Sequence, residues 1–210
     1  MSGFDGQFNR FLTPTEKDQL FEIIKDGISD LVWNKFFYIS VAEPTVSALT
    51  SGQSYSDEET NNQTTLSILK PSKFRCVFNL LAYNPGGTAY ITTNHIRPVN
   101  VSYNIGENDG AWSGFKIDTN GLSAMNFNKG FSTEIVIDSD LTTGDDMVLE
   151  IQFFPRERAD FYLNGEKRAS IADNLPSDES LEIYSWHFSE VLSGGSTLDI
   201  QRVEFLQDRD

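Results

Sequence analysis

Apolar and polar residues alternate with a period of two along much of this chain, most clearly from Met147 to Ile171. Met147, Leu149, Ile151 and Phe153 are interleaved with Val148, Glu150 and Gln152. In an extended strand that spacing puts one set on a buried sheet face and the other on a wetter face. Pro155 to Glu157 breaks the alternation; Ala159, Phe161 and Leu163 then resume it, with Asp160 and Tyr162 opposite. Asn164-Gly165 follows, and because both residues tolerate positive φ it marks a tight hairpin turn. Glu166 to Ile171 returns as a further strand. The stretch predicts an antiparallel meander.

The rest of the chain reads as more of the same. Strands are expected at Phe36 to Val41, Thr65 to Leu69, Lys73 to Tyr83, Thr88 to Thr93 and Val99 to Ile105. Further strands are expected at Phe115 to Asp118, Leu122 to Phe127, Phe131 to Ile137 and Ser180 to Phe188. Phe74, Cys76, Phe78 and Leu80 fall on one face of theirs. In the last strand Leu198 and Ile200 alternate in one register, and Val203 and Phe205 in the other. Only an extra residue at Gln201-Arg202 keeps both pairs inside, so a β-bulge is expected there. Residues 50–64 are polar without periodicity and predict a long exposed loop.

The first 30 residues differ. Thr13 can cap a helix, Pro14 suits its first position and Glu16 completes a capping box. Leu20, Ile23, Ile24, Ile28 and Leu31 then recur at helical spacing. We expect one helix over 14–26, preceded by an extended arm carrying Phe4, Phe8 and Phe11. With roughly 12 or 13 short strands and no crossover helices, the pattern calls for an all-β, antiparallel two-sheet sandwich. The expected division is an arm and short helix at 1–30 and a single sandwich domain at 31–210.

Composition narrows the class. The chain has 210 residues, 39% hydrophobic and 12% aromatic, with 16 Phe, enough rings to fill a packed core. A single cysteine, Cys76, excludes an intrachain disulfide. The net charge of −15 repels nucleic-acid phosphates and anionic membranes, so neither is an expected partner. The opening MSGFDGQFNRF has no basic stretch followed by an apolar core, and no apolar run reaches the roughly 20 residues that span a bilayer. Synthesis in a cytoplasm, without export by the usual route, is the expectation.

From Lys70 to Phe205 the order of features resembles the concanavalin A-like, laminin G-like jelly roll. The resemblance is carried by FRCVFNLLAY (74–83), GFKID (114–118), the stretch 141–171 with its FYLNG segment, Leu175-Pro176, and TLDIQRVEF (197–205). It covers about two-thirds of the chain and implies a jelly-roll sandwich. It implies little about function, because function lives in sites grafted on folds.

Candidate chemistry is sparse. Glycosidases of that superfamily carry paired carboxylates on one strand face, about 5–5.5 Å apart in retaining enzymes. No strand here has acids at such spacing: Glu150 is followed by Gln152, and Glu182 by Tyr184. His95 and His187 with one cysteine are too few for a zinc site. Gly110 to Gly114 places its serine one position late for a nucleophile elbow. An enzyme is therefore not expected. Nor is a cofactor; calcium is the one alternative, through Glu107, Asn108 and Asp109 in one loop or Asp138, Asp140, Asp145 and Asp146 in another. Glycan binding would need an aromatic platform with amide and carboxylate neighbours. Trp112 beside Asn108 and Asp109, with Tyr90 and Tyr103, is the candidate.

Two readings follow. The first is a non-enzymatic virion structural protein, a capsid surface turret or decoration or a tail fibre module. It would assemble as a homo-oligomer with other virion proteins and contact host-surface glycans. Its place would be the virion surface after cytoplasmic synthesis, or else the cytoplasm. Phe4, Phe8, Phe11, Leu20 and Ile24 would be its oligomer contacts. The alternative is a carbohydrate-binding, lectin-like module.

Overall fold

The computed structural model describes residues 36–42, 54–56, 67–83, 86–97, 110–177, 182–190 and 197–208. The expected arm and helix lie outside these, with Phe4, Phe8, Phe11, Leu20 and Ile24. So do the Val99 to Ile105 segment with Tyr103, and the loop with Glu107, Asn108 and Asp109.

Twelve strands are described: β1 (Phe36–Ala42), β2 (Ser54–Ser56), β3 (Ser72–Ala82), β4 (Ala89–Arg97), β5 (Ala111–Asp118) and β6 (Gly121–Asn128) come first. Then follow β7 (Phe131–Asp138), β8 (Asp146–Phe154), β9 (Arg158–Leu163), β10 (Glu166–Ile171), β11 (Glu182–Glu190) and β12 (Thr197–Asp208). They form two six-stranded sheets, which we call A (β1-β12-β3-β8-β9-β10) and B (β2-β11-β4-β5-β6-β7). The fold is an all-β antiparallel jelly-roll sandwich.

Strand alternation sorts the side chains. On sheet A, Phe74, Cys76, Phe78 and Leu80 of β3 sit beside Met147, Leu149, Ile151 and Phe153 of β8, all buried. From sheet B, Ile91, Phe115, Ile117, Leu122 and Ala124 join them in one core. Phe115 of β5 meets Phe161 of β9 edge to face across the layers, with centroids 5.5 Å apart. That geometry suits ring quadrupoles. Burial pushes the Cys76 thiol far above its usual range, in keeping with an inert core residue.

The meander is as the pattern predicts. Asn164 (φ 52°) and Gly165 (φ 82°) both take positive φ between β9 and β10. The Val148 amide donates to Asn164 Oδ1 at 2.9 Å and the Asn164 amide to the Val148 carbonyl at 2.8 Å, so this turn also anchors β8. The register of β12 on β3 shifts between Ile200 and Arg202, which is the expected bulge at Gln201. Leu198, Ile200, Val203 and Phe205 are all buried as a result.

Three expectations need correction. Ser67 to Lys70 is a turn, not a strand: the Lys70 amide donates to the Ser67 carbonyl at 3.2 Å and the Leu69 amide to Ser67 Oγ at 3.3 Å. A serine hydroxyl offering the backbone a local acceptor competes with strand pairing. The polar stretch 50–64 contains a short strand, β2, paired to β11. Finally, β5 begins at Ala111, so Trp112 is a strand residue and not a loop residue.

The chain leaves sheet A after β10 and is stapled to sheet B by three asparagines. Asn126 Nδ2 donates to the carbonyls of Ile171 (3.3 Å) and Asp173 (3.1 Å). Asn128 Nδ2 donates to the Leu175 carbonyl at 2.7 Å. Asn174 Nδ2 donates to Thr133 Oγ1 at 2.9 Å. Each bond gives a carbonyl or hydroxyl at the sandwich end a partner that strand pairing cannot supply.

The outer face of sheet A is a lattice of charge pairs. Lys73 reaches Glu150 at 2.6 Å, and Arg202 reaches Glu204 at 2.6 Å. Asp160, with its side chain only 5% exposed, is held by Arg158 (3.2 Å), Lys167 (2.8 Å) and the Ser170 hydroxyl (2.6 Å). Burial acts to raise its pKa, but hydrogen bonds from Lys167 and Ser170 and the nearby cations outweigh it, and the carboxyl lies below its usual range. A depressed carboxyl stabilises the fold above its unfolded pKa and stops doing so as pH falls through the folded value. Asp160→Asn should cost about 1–3 kcal/mol at pH 7, because it strips the partners of a buried charge site. Urea midpoints measured from pH 7 to pH 2 should converge for the two proteins at the acid end. A gap that persists at pH 2 would mean that packing, and not charge, sets the loss.

Candidate functional site

The outer face of sheet B is built differently. Pairing places Trp112, Gly114 and Lys116 of β5 opposite Phe127, Met125 and Ser123 of β6. Met125 lies in turn opposite Glu134 of β7, and Lys116 opposite Tyr90 of β4. Directly paired residues of antiparallel strands share a face, so these side chains line one surface.

Two groups occupy it. The first is aromatic. Trp112 stacks on Phe127 (centroids 5.6 Å, planes 15° apart) and meets Tyr90 edge-on (5.6 Å, 70°). With Met125 they form a small cluster separate from the main core. The second is ionic. Lys116 Nζ lies 2.8 Å from Asp118 Oδ2, and 2.9 and 2.7 Å from the two oxygens of Glu134. The Glu134 side chain is 28% exposed and that of Lys116 15%, so this group is the open part of the surface. Trp112, at 1%, is its floor.

The electrostatics follow from the contacts. For Lys116, burial lowers the pKa, but hydrogen bonds to Asp118 and Glu134 prevail and it is raised. For Asp118, burial raises it, yet the Lys116 hydrogen bond and the Asn120 amide prevail and it is lowered. Both groups stay charged near neutrality. Burial raises the Tyr90 phenol; Lys116 opposes that and Glu134 and Asp118 add to it, so the phenol lies above its usual range and is protonated. Trp112 Nε1 and Ser123 Oγ are buried on this face without a hydrogen-bond partner.

Of the residues expected from sequence, Tyr90 and Trp112 are brought together. Trp112 is not the exposed platform that was expected: a strand position covered on both faces buries it. Tyr103, Asn108 and Asp109 lie outside the described residues. Asp138 accepts the Asp140 amide at 3.0 Å, and Asp146 accepts Asn79 and Gln201 amides, so both are occupied in local turns and amide pairs. Among the described residues no three acids, histidines or cysteines converge as metal ligands. Ser113 is buried in the middle of β5, away from any strand–turn–helix elbow.

Lys116, Asp118 and Glu134 were missed. The i, i+2 spacing of Lys116 and Asp118 was a legible signal that they share a face. Glu134 was not legible, because it reaches them through strand pairing. The fold thus gathers two carboxylates from different strands around one ammonium. A glycosidase acid needs a raised pKa, and Asp118 is shifted the other way.

No family model matches the chain, and no curated protein does. Solved structures do. The CBM40 of the Ruminococcus gnavus IT-sialidase, solved with α2,3-sialyllactose, is similar over 80% of this chain and 91% of its own, at 9% identity and TM-score 0.55. The carbohydrate recognition domain of Emp47p is similar over 83% and 89%, at 9% identity and TM-score 0.51. A glycosidic hydrolase also matches, over 65% and 64% at 13% identity, with a TM-score of 0.47 that is too low to bear on the argument. At these identities the likeness establishes the jelly-roll fold alone.

Gly114 sits on this face where the β4 backbone comes close. A Cβ there would lie 2.6 Å from the Ile91 carbonyl oxygen and 2.9 Å from Thr92 Cγ2. Gly114→Ala should therefore destabilise the protein by about 1–3 kcal/mol through forced displacement of β4. A lowered urea midpoint reads this out; an unchanged midpoint would show that β4 yields freely.

Proposed function

We propose that this chain is a non-catalytic carbohydrate-binding module that takes a saccharide on the outer face of sheet B. The observation that carries the reading is the Tyr90 ring and the Lys116–Glu134 pair standing side by side on one sheet face. A sugar presents apolar C–H faces and hydroxyls that both donate and accept. An aromatic ring and a carboxylate on one sheet face match both surfaces.

The likeness to a sialidase module solved with sialyllactose and to a carbohydrate recognition domain supports this reading through the fold alone. The virion-assembly reading rests on residues 1–30, which lie outside the described residues, and neither of these likenesses lends it support.

The test is an oligosaccharide array followed by calorimetry on the best ligand. Lys116→Ala and Glu134→Ala should each weaken binding at least tenfold, about 1.4 kcal/mol. Their urea midpoints should move little, because partly exposed ion pairs contribute only about 0–1 kcal/mol. The ligand should be recovered uncleaved. Variants that bind like the parent protein would refute the site, and cleavage products would refute the non-catalytic reading.

A further inference from the structure

We propose that this face selects uncharged, hydroxyl-rich saccharides and rejects acidic ones, whether sialylated, uronic or sulfated. The inference rests on the carbohydrate reading above and names its ligand class. An ammonium can donate three hydrogen bonds. The Lys116 ammonium meets three carboxylate oxygens at 2.7–2.9 Å: one of Asp118 and both of Glu134. Its donor capacity is filled from within the protein.

Lys116 is the cation of this trio, and two carboxylates accompany it. The local sum is one negative charge on a chain whose net charge is −15. An incoming carboxylate or sulfate therefore finds no free ammonium, and at close range it meets two like charges. The chain's own field also opposes its approach. An uncharged sugar meets the opposite situation. The outward lone pairs of Glu134 accept hydroxyl protons, and charge-assisted hydrogen bonds of that kind are the stronger ones. The acidic pair thus serves as both reader and filter: it attracts hydroxyls and excludes anions.

The experiment is an array on which each neutral oligosaccharide is printed beside its sialylated, uronate or sulfated counterpart, with lactose and 3′-sialyllactose included. The full chain is applied as parent protein, Glu134→Gln and Glu166→Gln. The neutral member of a recognised pair should bind at least tenfold better. Glu134→Gln should narrow that ratio severalfold, because it removes one local negative charge and frees a Lys116 donor. Glu166→Gln removes the same charge from β10 of the other sheet and should leave the ratio unchanged. Preference for the acidic member overturns the selectivity while leaving the carbohydrate reading intact. Equal narrowing by both variants overturns the local mechanism in favour of net charge. An array with no signal overturns the carbohydrate reading, and this inference with it.

Discussion

Everything in this structure depends on closing two pleated faces over one another. The ring contact of Phe115 on Phe161 spans the layers at their middle. Phe74, Phe78, Phe153 and Phe205 fill the space around it, each essentially without solvent exposure. Burying a side chain of this size is worth about 1.5–3 kcal/mol against leaving it in water. Interiors are packed as densely as organic crystals, so the two sheets can meet in few ways. The bulge at Gln201 illustrates the constraint. Without an extra residue there, Val203 and Phe205 would turn outward while Leu198 and Ile200 stayed in. The backbone accepts an irregular ladder so that the inner face remains continuous.

Facing sheets solve the problem of apolar side chains and create one for backbone groups where the chain passes between layers. Residues 171–177 make such a passage. Asn126 and Asn128 solve it locally, with amide donors aimed at carbonyls of this segment, and Asn174 ties it to β7 by donating to the Thr133 hydroxyl. Two of them lie on inner positions of β6, where alternation alone would call for apolar residues. Asparagine stands there because the neighbour at that end is a bare main chain and not another side chain. Ser113 on β5, paired with Asn126, is a further buried polar residue at an inner position.

Much of this was legible in the sequence, and the failures share a cause. Where one face is buried and the other wet, as in β3, β8 and β9, alternation revealed both strand and orientation. Asn164-Gly165 marked its turn because few residue pairs tolerate consecutive positive φ. Reading faltered where a strand is covered on both sides. In β5, Trp112, Ser113 and Gly114 show no apolar–polar rhythm, since Trp112 serves the outer face while Ser113 serves the inner. Alternation alone therefore starts this strand at Phe115 and leaves Trp112 outside it. The site suffered more than the fold. Tyr90 and Trp112 could be suspected from residue type, but Glu134 joins Lys116 only through the β5–β6–β7 register, which a linear reading does not contain. Acids were sought along one strand, and the pair that exists lies across strands.

The two outer faces then allow an argument about function that the core does not. On sheet A that side meets water, and there the fold asks only that the surface be soluble. Sheet A meets the demand with cross-strand pairs that satisfy one another, and its ring at Phe154 is capped by the Arg158 guanidinium at 4.4 Å. Sheet B departs from it. A tryptophan, a phenylalanine and a methionine are buried on its outer side, and an ammonium is caught between acids beside a half-buried phenol. None of this is needed to hold two sheets together. Features that the fold does not require are the ground on which we propose the saccharide site on this face and not on the other.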